Sequence, residues 1–462
     1  MLRKLNFLTL LTYLVSAVLA IVTYRTLYAD GVYFFYNILQ SVDKLNWPLF
    51  DDTQMNRQFI NYFNQSLVST YLFIGGESKA LAKVLYGIPF FVGPLLAFAV
   101  CHKNFKASGH KEWILFPFAT YVLFVFVSNL FLVNPALNAV CLYWVIASFA
   151  VKSHLRGLNR VEAIIMVALI VVTLKSHETI LLVGPVLALF SFWTYYQKRK
   201  AVDLIGTVLL LASAFYTAYW LYTSPISAQT QNYLGLILSL FTTGEWYTSS
   251  LFISCLTVVT LAISLIPLKN PKLRSYVHRG IAVAFSVVLI VWLARYWQAH
   301  PFFEYQTRSL ISFGTASMAG LMVLVCCFRP NFPFTYYRQL FSILCLSFIA
   351  QNTAQIFHSL NFSKLLHGID YAIDHSNKAI LDPRQVIIDG VPVSSHKYLF
   401  TWTNPSLSII NNDSYNIRTI LAPVGWEEQF KMEPDGRFRI PFIKLDNAYH
   451  NFDGFYQRVK QP

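Results

Sequence analysis

Eleven apolar stretches constrain this chain more than any other feature of its sequence. A segment that crosses the hydrocarbon core of a bilayer needs about 20 apolar residues, and most of the stretches approach that length. The sequence therefore predicts an all-α polytopic membrane protein with about eleven transmembrane helices. The predicted spans are residues 5–24, 84–101, 113–132, 134–151, 161–176, 178–196, 204–222, 250–268, 281–299, 309–328 and 339–357.

The composition agrees with this class and excludes others. Hydrophobic residues make up 55% of the chain and charged residues 13%, and the mean hydropathy is +0.47. Soluble domains carry about 25% charged residues, so a soluble enzyme and a disordered chain are both excluded. All six cysteines lie in or at the end of apolar stretches, which leaves none for an external disulfide framework.

Basic residues predict the orientation of the spans. Lysine and arginine are enriched in cytoplasmic loops, and here every second loop is basic. This predicts a cytoplasmic N-terminus and an external C-terminus, and it accounts for the net charge of +14 without a nucleic-acid partner. The basic segments include Arg3 and Lys4, Lys103–Lys111, Lys152–Arg160, Lys198–Lys200, Lys269–Arg279 and Arg329–Arg338.

The first external loop, residues 25–83, is too long for a simple connector. Phe59, Ile60, Phe63 and Leu67 recur in it at helical spacing, which is typical of an amphipathic helix on the membrane surface. Packing of that helix on the bundle is an equal alternative. A second surface helix is predicted within 33–45.

The tail changes to a polar composition at His358, which divides the chain into a transmembrane domain, 1–357, and an external domain, 358–462. Strands are predicted at 386–388, 398–403 and 407–410, and a hairpin at Pro434-Asp435-Gly436. We therefore expect the tail to be a small β-rich domain.

Asp30 stands soon after the first span, with Asp51, Asp52 and Arg57 later in the same loop. A carboxylate at the membrane edge suits a general base for an acceptor hydroxyl. It equally suits a ligand of a divalent metal, Mg²⁺ or Mn²⁺, held against a phosphate. The alternative is that Asp30 merely caps a helix that begins near Gly31.

Two further charged clusters flank external span ends. Lys175-Ser176-His177-Glu178 fills a tight turn and is suited to holding a phosphate, or Lys175 reaches the lipid headgroups with Glu178 as its partner. The other cluster contains two arginines that suit a lipid phosphate, although an interfacial aromatic belt explains its tryptophan and tyrosine. Its members are Arg295, Tyr296, Trp297, His300, Glu304 and Arg308.

All three clusters are predicted on one membrane face, which favours a reaction on a phosphate-bearing lipid. The order of elements, together with Asp30-Gly31-Val32-Tyr33-Phe34, Arg57-Gln58-Phe59 and Ser176-His177-Glu178, resembles the glycosyltransferase C superfamily of bacterial membrane proteins. The resemblance implies a multi-pass inner-membrane enzyme that transfers a sugar from a polyprenyl-phosphate carrier on the periplasmic face. Gly31 departs from the commoner pair of adjacent acids.

The resemblance implies that Asp30 is the catalytic acid of the first loop, and the clustering of charges on one face predicts the roles of the other residues. Asp30, Asp52 and Glu178 are the expected catalytic residues, and Asp30 is the metal ligand if a metal is bound. The expected phosphate-binding residues are Arg57, Lys175, His177, Arg295 and Arg308.

Two non-enzymatic alternatives stay open. One is a transporter or flippase of lipid-linked saccharide, because Gly93-Pro94 and Gly184-Pro185 echo each other and such pairs occur in discontinuous transporter helices. The other is an envelope assembly protein whose tail binds a partner.

Overall fold

A computed structural model describes residues 2–42, 56–129, 133, 135–223, 250–266, 271–296, 310–328, 336–425, 431–432, 438–440, 445 and 449–459. The described chain is mostly helical. Its first nine α-helices are α1 (Leu2–Val22), α2 (Asp30–Gln40), α3 (Gln58–Phe73), α4 (Lys79–Ala107), α5 (Leu115–Thr120), α6 (Ala136–Leu155), α7 (Arg160–Thr173), α8 (Ile180–Lys198) and α9 (Ala201–Thr223). The others are α10 (Ser250–Ser264), α11 (Pro271–Tyr296), α12 (Leu310–Phe328), α13 (Tyr337–Asp374), α14 (Asn404–Asn411) and α15 (Asp453–Val459).

The described helices confirm a multi-pass membrane protein. Nine helical segments in the described part are long and apolar enough to cross a bilayer: α1, α4, the segment Lys111–Asn129 that contains α5, α6, α8, α9, α11, α12 and α13. The remaining two predicted spans, 161–176 and 250–268, correspond to α7 and α10, which have 14 and 15 residues. In the bundle, α1 packs on α4 and α13, α4 on α6, and α8 on α9.

The two similar Gly-Pro pairs, Gly93-Pro94 and Gly184-Pro185, lie in two unbroken helices, α4 and α8. A Cβ atom at Gly93 would lie 2.1 Å from Oδ1 of Asn138, and one at Gly184 would lie 3.1 Å from the carbonyl oxygen of Leu210. Both glycines therefore permit close packing by a neighbouring helix. The discontinuous helices that the transporter hypothesis expected at these sites are absent from α4 and α8.

Helix α13 passes without a break through the predicted domain boundary at 357/358. Its 38 residues rise about 57 Å, well beyond the roughly 30 Å of a hydrocarbon core. Beyond the boundary it buries apolar side chains at helical spacing, namely Phe362, Leu365, Leu366, Ile369 and Ile373. The change in composition at His358 therefore marks a change of surroundings and not the end of the helix.

The described part of the tail has few strands, and each strand has two residues. The strands are β1 (Ile380–Leu381), β2 (Ile387–Ile388), β3 (Val391–Pro392), β4 (Ile420–Leu421), β5 (Lys431–Met432) and β6 (Phe438–Arg439). They form three separate pairs: β1 with β4 in parallel, and β2 with β3 and β5 with β6 antiparallel. The β5–β6 pair flanks the predicted hairpin turn, whose residues 433–437 lie outside the described part.

The predicted strand at 407–410 is wrong, because this segment belongs to α14. Pro405 stands in the first turn of α14, where its missing N–H is not needed. A short apolar run does not by itself distinguish a strand from a buried helix. The predicted strand at 398–403 is likewise not observed, since 401–403 form a 3₁₀ turn.

The tail is anchored to the bundle by two buried lysines of α4. The ammonium group of Lys79 donates to the carbonyl oxygens of Ile409 (3.2 Å), Asn412 (2.6 Å) and Ser414 (2.9 Å). That of Lys83 donates to the Asp413 carboxylate at 2.9 Å. These carbonyl groups lie at the C-terminal end of α14, where the helix dipole favours a cation.

Helix α2 is enclosed between the bundle and the tail, which corrects the prediction of a second surface helix there. The Phe35 ring contacts Tyr86 of α4 at 5.4 Å between centroids. On the tail side, Tyr33 contacts Trp402 at 5.4 Å and Tyr36 stacks on His450 at 6.1 Å. The buried apolar side chains consequently form one continuous cluster from the bundle into the tail.

Candidate functional site

Arg57 and the turn 174–179 form one polar cluster, which we call the turn cluster. The Nε atom of Arg57 lies 3.1 Å from both carboxylate oxygens of Glu178. Nδ1 of His177 lies 3.3 Å from Glu178 Oε2. Lys175 donates to Gln58 Oε1 at 2.9 Å. Residues that the sequence placed in two separate clusters are thus brought together, and Arg57 joins Glu178.

Hydrogen bonds from three helices hold the turn in place. The Tyr143 hydroxyl of α6 lies 2.7 Å from Ser176 Oγ and donates to the His177 carbonyl oxygen at 3.2 Å. The Phe59 amide of α3 donates to the Lys175 carbonyl oxygen at 2.9 Å. Thr179 Oγ1 lies 3.0 Å from His177 Nδ1 and 2.8 Å from Ser312 Oγ of α12. The side chain of His177 is therefore fixed in orientation.

The turn cluster lies between the end of α7 and the start of α8. Helix α8 begins at Ile180 and has 19 residues, which rise about 28 Å and cross nearly the whole hydrocarbon core. The charged turn therefore lies at the membrane edge. Ionisable groups beside apolar spans are costly and mark candidate functional sites.

The first residues of α3 contact the turn cluster, and its polar face packs on α4 and α6. Asn61, Asn64 and Gln65 are buried, and Asn138 of α6 donates to Asn64 Oδ1 at 2.6 Å. Phe63 and Leu67 point outward, with 45% and 41% of their surface exposed. The helix predicted from its apolar spacing is thus confirmed, and it both packs on the bundle and presents an apolar face outward.

Glu178 stays ionised in the folded protein. Burial raises the pKa of its carboxyl group, but the charges of Arg57 and His177 outweigh this effect and lower the pKa from 4.5 to about 2. A carboxyl group with so low a pKa is a poor proton donor or acceptor at neutral pH. Its geometry instead suits the positioning of Arg57 and His177.

We expect this low pKa to make stability depend on acid pH. A carboxyl group whose pKa falls on folding stabilises the protein above its unfolded pKa, and this stabilisation is lost as the pH falls from about 4.5 to about 2. Thermal unfolding in detergent at pH 6 and pH 3 should show a larger loss for wild type than for Glu178→Gln. Equal losses for wild type and Glu178→Gln would show that folding does not lower the pKa of Glu178.

Asp30 lies in the first turn of α2, after a strained connection from α1. Ala29 has φ 52° and ψ −122° and Tyr24 has φ 55°, where residues with a Cβ atom cost roughly 1–3 kcal/mol each. A Cβ atom on Gly31 would lie 1.8 Å from the carbonyl oxygen of Thr26. The close approach of that carbonyl therefore explains why a second acid does not follow Asp30.

Arg25 is wholly buried beside this connection, and sequence reasoning did not single it out. Its Cζ atom lies 4.7 Å from the ring centroid of Tyr28 and 5.6 Å from that of Tyr398 in the tail. Lys397 lies 5.2 Å from the Tyr398 ring, and burial together with the charge of Arg25 lowers the Lys397 pKa to about 8. The only sequence signal was an arginine directly after the first span.

The other predicted site residues are placed as follows. Arg295 is exposed at the end of α11, whereas Tyr296 is buried and stacks on Trp292 at 4.5 Å. Asp51, Asp52, Trp297, His300, Glu304 and Arg308 lie outside the described residues.

Within the described ranges, no three His, Cys, Asp or Glu side chains are grouped closely enough to hold a metal ion. Asp30 alone would supply one carboxylate to a divalent cation, which commonly binds through one or two protein carboxylates plus substrate phosphates. No protein-family model matches the chain, and neither a curated protein nor a solved structure is detectably similar to it.

Proposed function

We propose that the protein is a membrane glycosyltransferase that moves a sugar from a polyprenyl-phosphate carrier to an acceptor hydroxyl. In this proposal the protein resides in a bacterial inner membrane, with a cytoplasmic N-terminus and the site and tail on the periplasmic face. The observation that carries it is the strained connection between α1 and α2, which ends at Asp30 and contains the buried Arg25, packed against Tyr398 of the tail. One short segment after the first span thus carries a carboxylate and a cation.

The chemistry needs both kinds of group. The acceptor oxygen attacks the anomeric carbon of the sugar, the bond from that carbon to the phosphate oxygen breaks, and the phosphate leaves with its electron pair. Asp30 is suited to accept the acceptor proton. Cations nearby stabilise the charge that develops on the leaving phosphate.

Within the turn cluster, Lys175 is the better candidate for a phosphate contact. The charge of Arg57 is compensated by Glu178. Lys175 is hydrogen-bonded to a neutral amide and forms no ion pair with a described carboxylate. Its positive charge is therefore available to an anionic ligand.

The test is sugar transfer by the purified protein in lipid nanodiscs, using a panel of polyprenyl-phosphate hexoses and pentoses with radiolabelled sugars. We expect Asp30→Asn to lower the rate by about 10²–10⁴-fold, the usual contribution of a positioned general base. Asp453→Asn is the matched control, because Asp453 also lies in the first turn of a helix but far along the chain in the tail, and it should leave the rate unchanged.

Full transfer by Asp30→Asn would overturn the assignment of the base. If the wild-type protein consumed no donor of the panel, the proposal that it is a glycosyltransferase would be contradicted. Movement of a donor across the membrane of proteoliposomes, without transfer, would support a transporter instead.

A further inference from the structure

A groove opens between α11 and α13 near the end of the bundle that carries the tail. Its volume is about 870 Å³, within the range of roughly 300–1,000 Å³ that is typical of ligand sites. Leu293 of α11 and Phe357 and Leu360 of α13 line its apolar part, and Asn361, Ser363 and Lys364 line its polar end. One site thus offers an apolar wall and a cationic end.

The groove lies where the outer part of a bilayer meets its headgroups. Helix α13 begins at Tyr337, and about 20 residues cross the hydrocarbon core, so the crossing ends near Phe357. Lys364 follows seven residues later, about 10 Å farther along the helix. Phe357 therefore lies level with the ends of the lipid chains, Leu360 lies about 5 Å farther out at their edge, and Lys364 lies at the level of the lipid phosphates.

Both walls of the groove carry a cation at this end. Lys364 is exposed on α13, and exposed Arg295 directly follows Ala294, which lines the groove on α11. Neither forms an ion pair with a carboxylate in the described part of the chain. The residues one turn from Lys364 on α13 are Leu360, Asn361, His367 and Gly368, none of them acidic.

Further positive charge lies behind the polar end. The ring of Tyr398 in the tail has Lys397 within 5.2 Å and Arg25 within 5.6 Å of its centroid. An anionic group at the polar end of the groove therefore has cations of α11 and α13 beside it.

We propose that this groove binds one anionic phospholipid of the surrounding leaflet, with an acyl chain along Leu293, Phe357 and Leu360 and the phosphate between Arg295 and Lys364. Arginine and lysine at headgroup level attract anionic lipids, and a groove that opens sideways to the bilayer admits the chain without removing it from the membrane. The site is independent of the proposed sugar transfer, so either can fail alone.

The test is native mass spectrometry of the delipidated full chain titrated with phosphatidylglycerol or with phosphatidylcholine of the same acyl chains. We expect one phosphatidylglycerol per chain to bind about tenfold more tightly than phosphatidylcholine. Lys364→Gln and Arg295→Gln should each weaken phosphatidylglycerol binding about tenfold, because each removes a charge-assisted contact to the phosphate. Leu360→Trp should also weaken it, by filling the groove.

Matched controls keep the test specific. Lys378→Gln changes an exposed lysine of the tail, and Leu321→Trp changes a side chain of α12 that is 48% exposed, against 44% for Leu360. Neither control should alter phosphatidylglycerol binding, and thermal unfolding of all variants should match wild type.

Three outcomes would overturn the proposal. Equal binding of the two phospholipids would show that the cations do not select the lipid. Equal effects of groove and control variants would show that the lipid does not bind in this groove. Retention of a polyprenyl phosphate in preference to phosphatidylglycerol would show that the occupant is a different lipid.

Discussion

Replacing Arg57 by methionine should lower the free energy of unfolding by about 3 kcal/mol or more, because breaking a buried ion pair leaves the other charge uncompensated. The side chains of Arg57 and Glu178 are only 9% and 21% exposed. Methionine keeps most of the apolar part of the arginine side chain. The loss of stability therefore measures the effect of removing the charge. Unfolding by heat or denaturant in a mild detergent measures it.

The double variant Arg57→Met with Glu178→Gln should recover a large part of this loss, since no unpaired charge then stays buried. Arg384→Met is the matched control, because Arg384 pairs with Asp382 at 2.9 Å but is 59% exposed. That surface pair should contribute about 0–1 kcal/mol. Equal losses for Arg57→Met and Arg384→Met would contradict the buried ion pair.

The second large effect is expected for Gly31→Ala. The new Cβ atom would lie 1.8 Å from the Thr26 carbonyl oxygen and 2.9 Å from its carbon. Both are backbone atoms, so the connection between α1 and α2 must shift, and such overpacking costs about 1–3 kcal/mol or more. The measurement is again unfolding in detergent, accompanied by sugar transfer, because the shift also displaces Asp30.

Gly320→Ala is the control for this change. Gly320 lies within α12, and a Cβ atom there would meet nothing within 4 Å. Alanine exceeds glycine in helix propensity by about 1 kcal/mol, so this variant should be as stable as wild type or more so. If Gly31→Ala were equally well tolerated, the close contact with Thr26 would not be a constraint on the fold.

The positions of the membrane helices were predictable from the sequence. In lipid, every backbone polar group must be bonded within the protein, so an apolar stretch of sufficient length has one outcome, a helix. Each of the eleven predicted stretches coincides with a described helix, although α7 and α10 are short. The helical spacing in α3 was equally informative, because its polar and apolar faces have different surroundings.

The tail was predicted less well, for a physical reason. Short apolar runs such as Leu407–Ile410 are compatible with both a strand and a buried helix, and the surrounding structure decides which of the two forms. Here the segment is helical, and Lys79 binds carbonyl groups at its C-terminal end. No local pattern in α4 indicated that its first two lysines would be buried against residues more than 300 positions away.

The candidate site was predictable in its residue types but not in its pairing. The sequence alone determined that charges of both signs stand beside apolar spans, because such charges are visible against an uncharged background. Only the tertiary structure decided that Arg57 joins Glu178, that Arg25 is buried against α13 and the tail, and that Gly31 packs on Thr26. Pairing depends on how separate helices pack, and helix packing is set by contacts between residues that are distant in the chain.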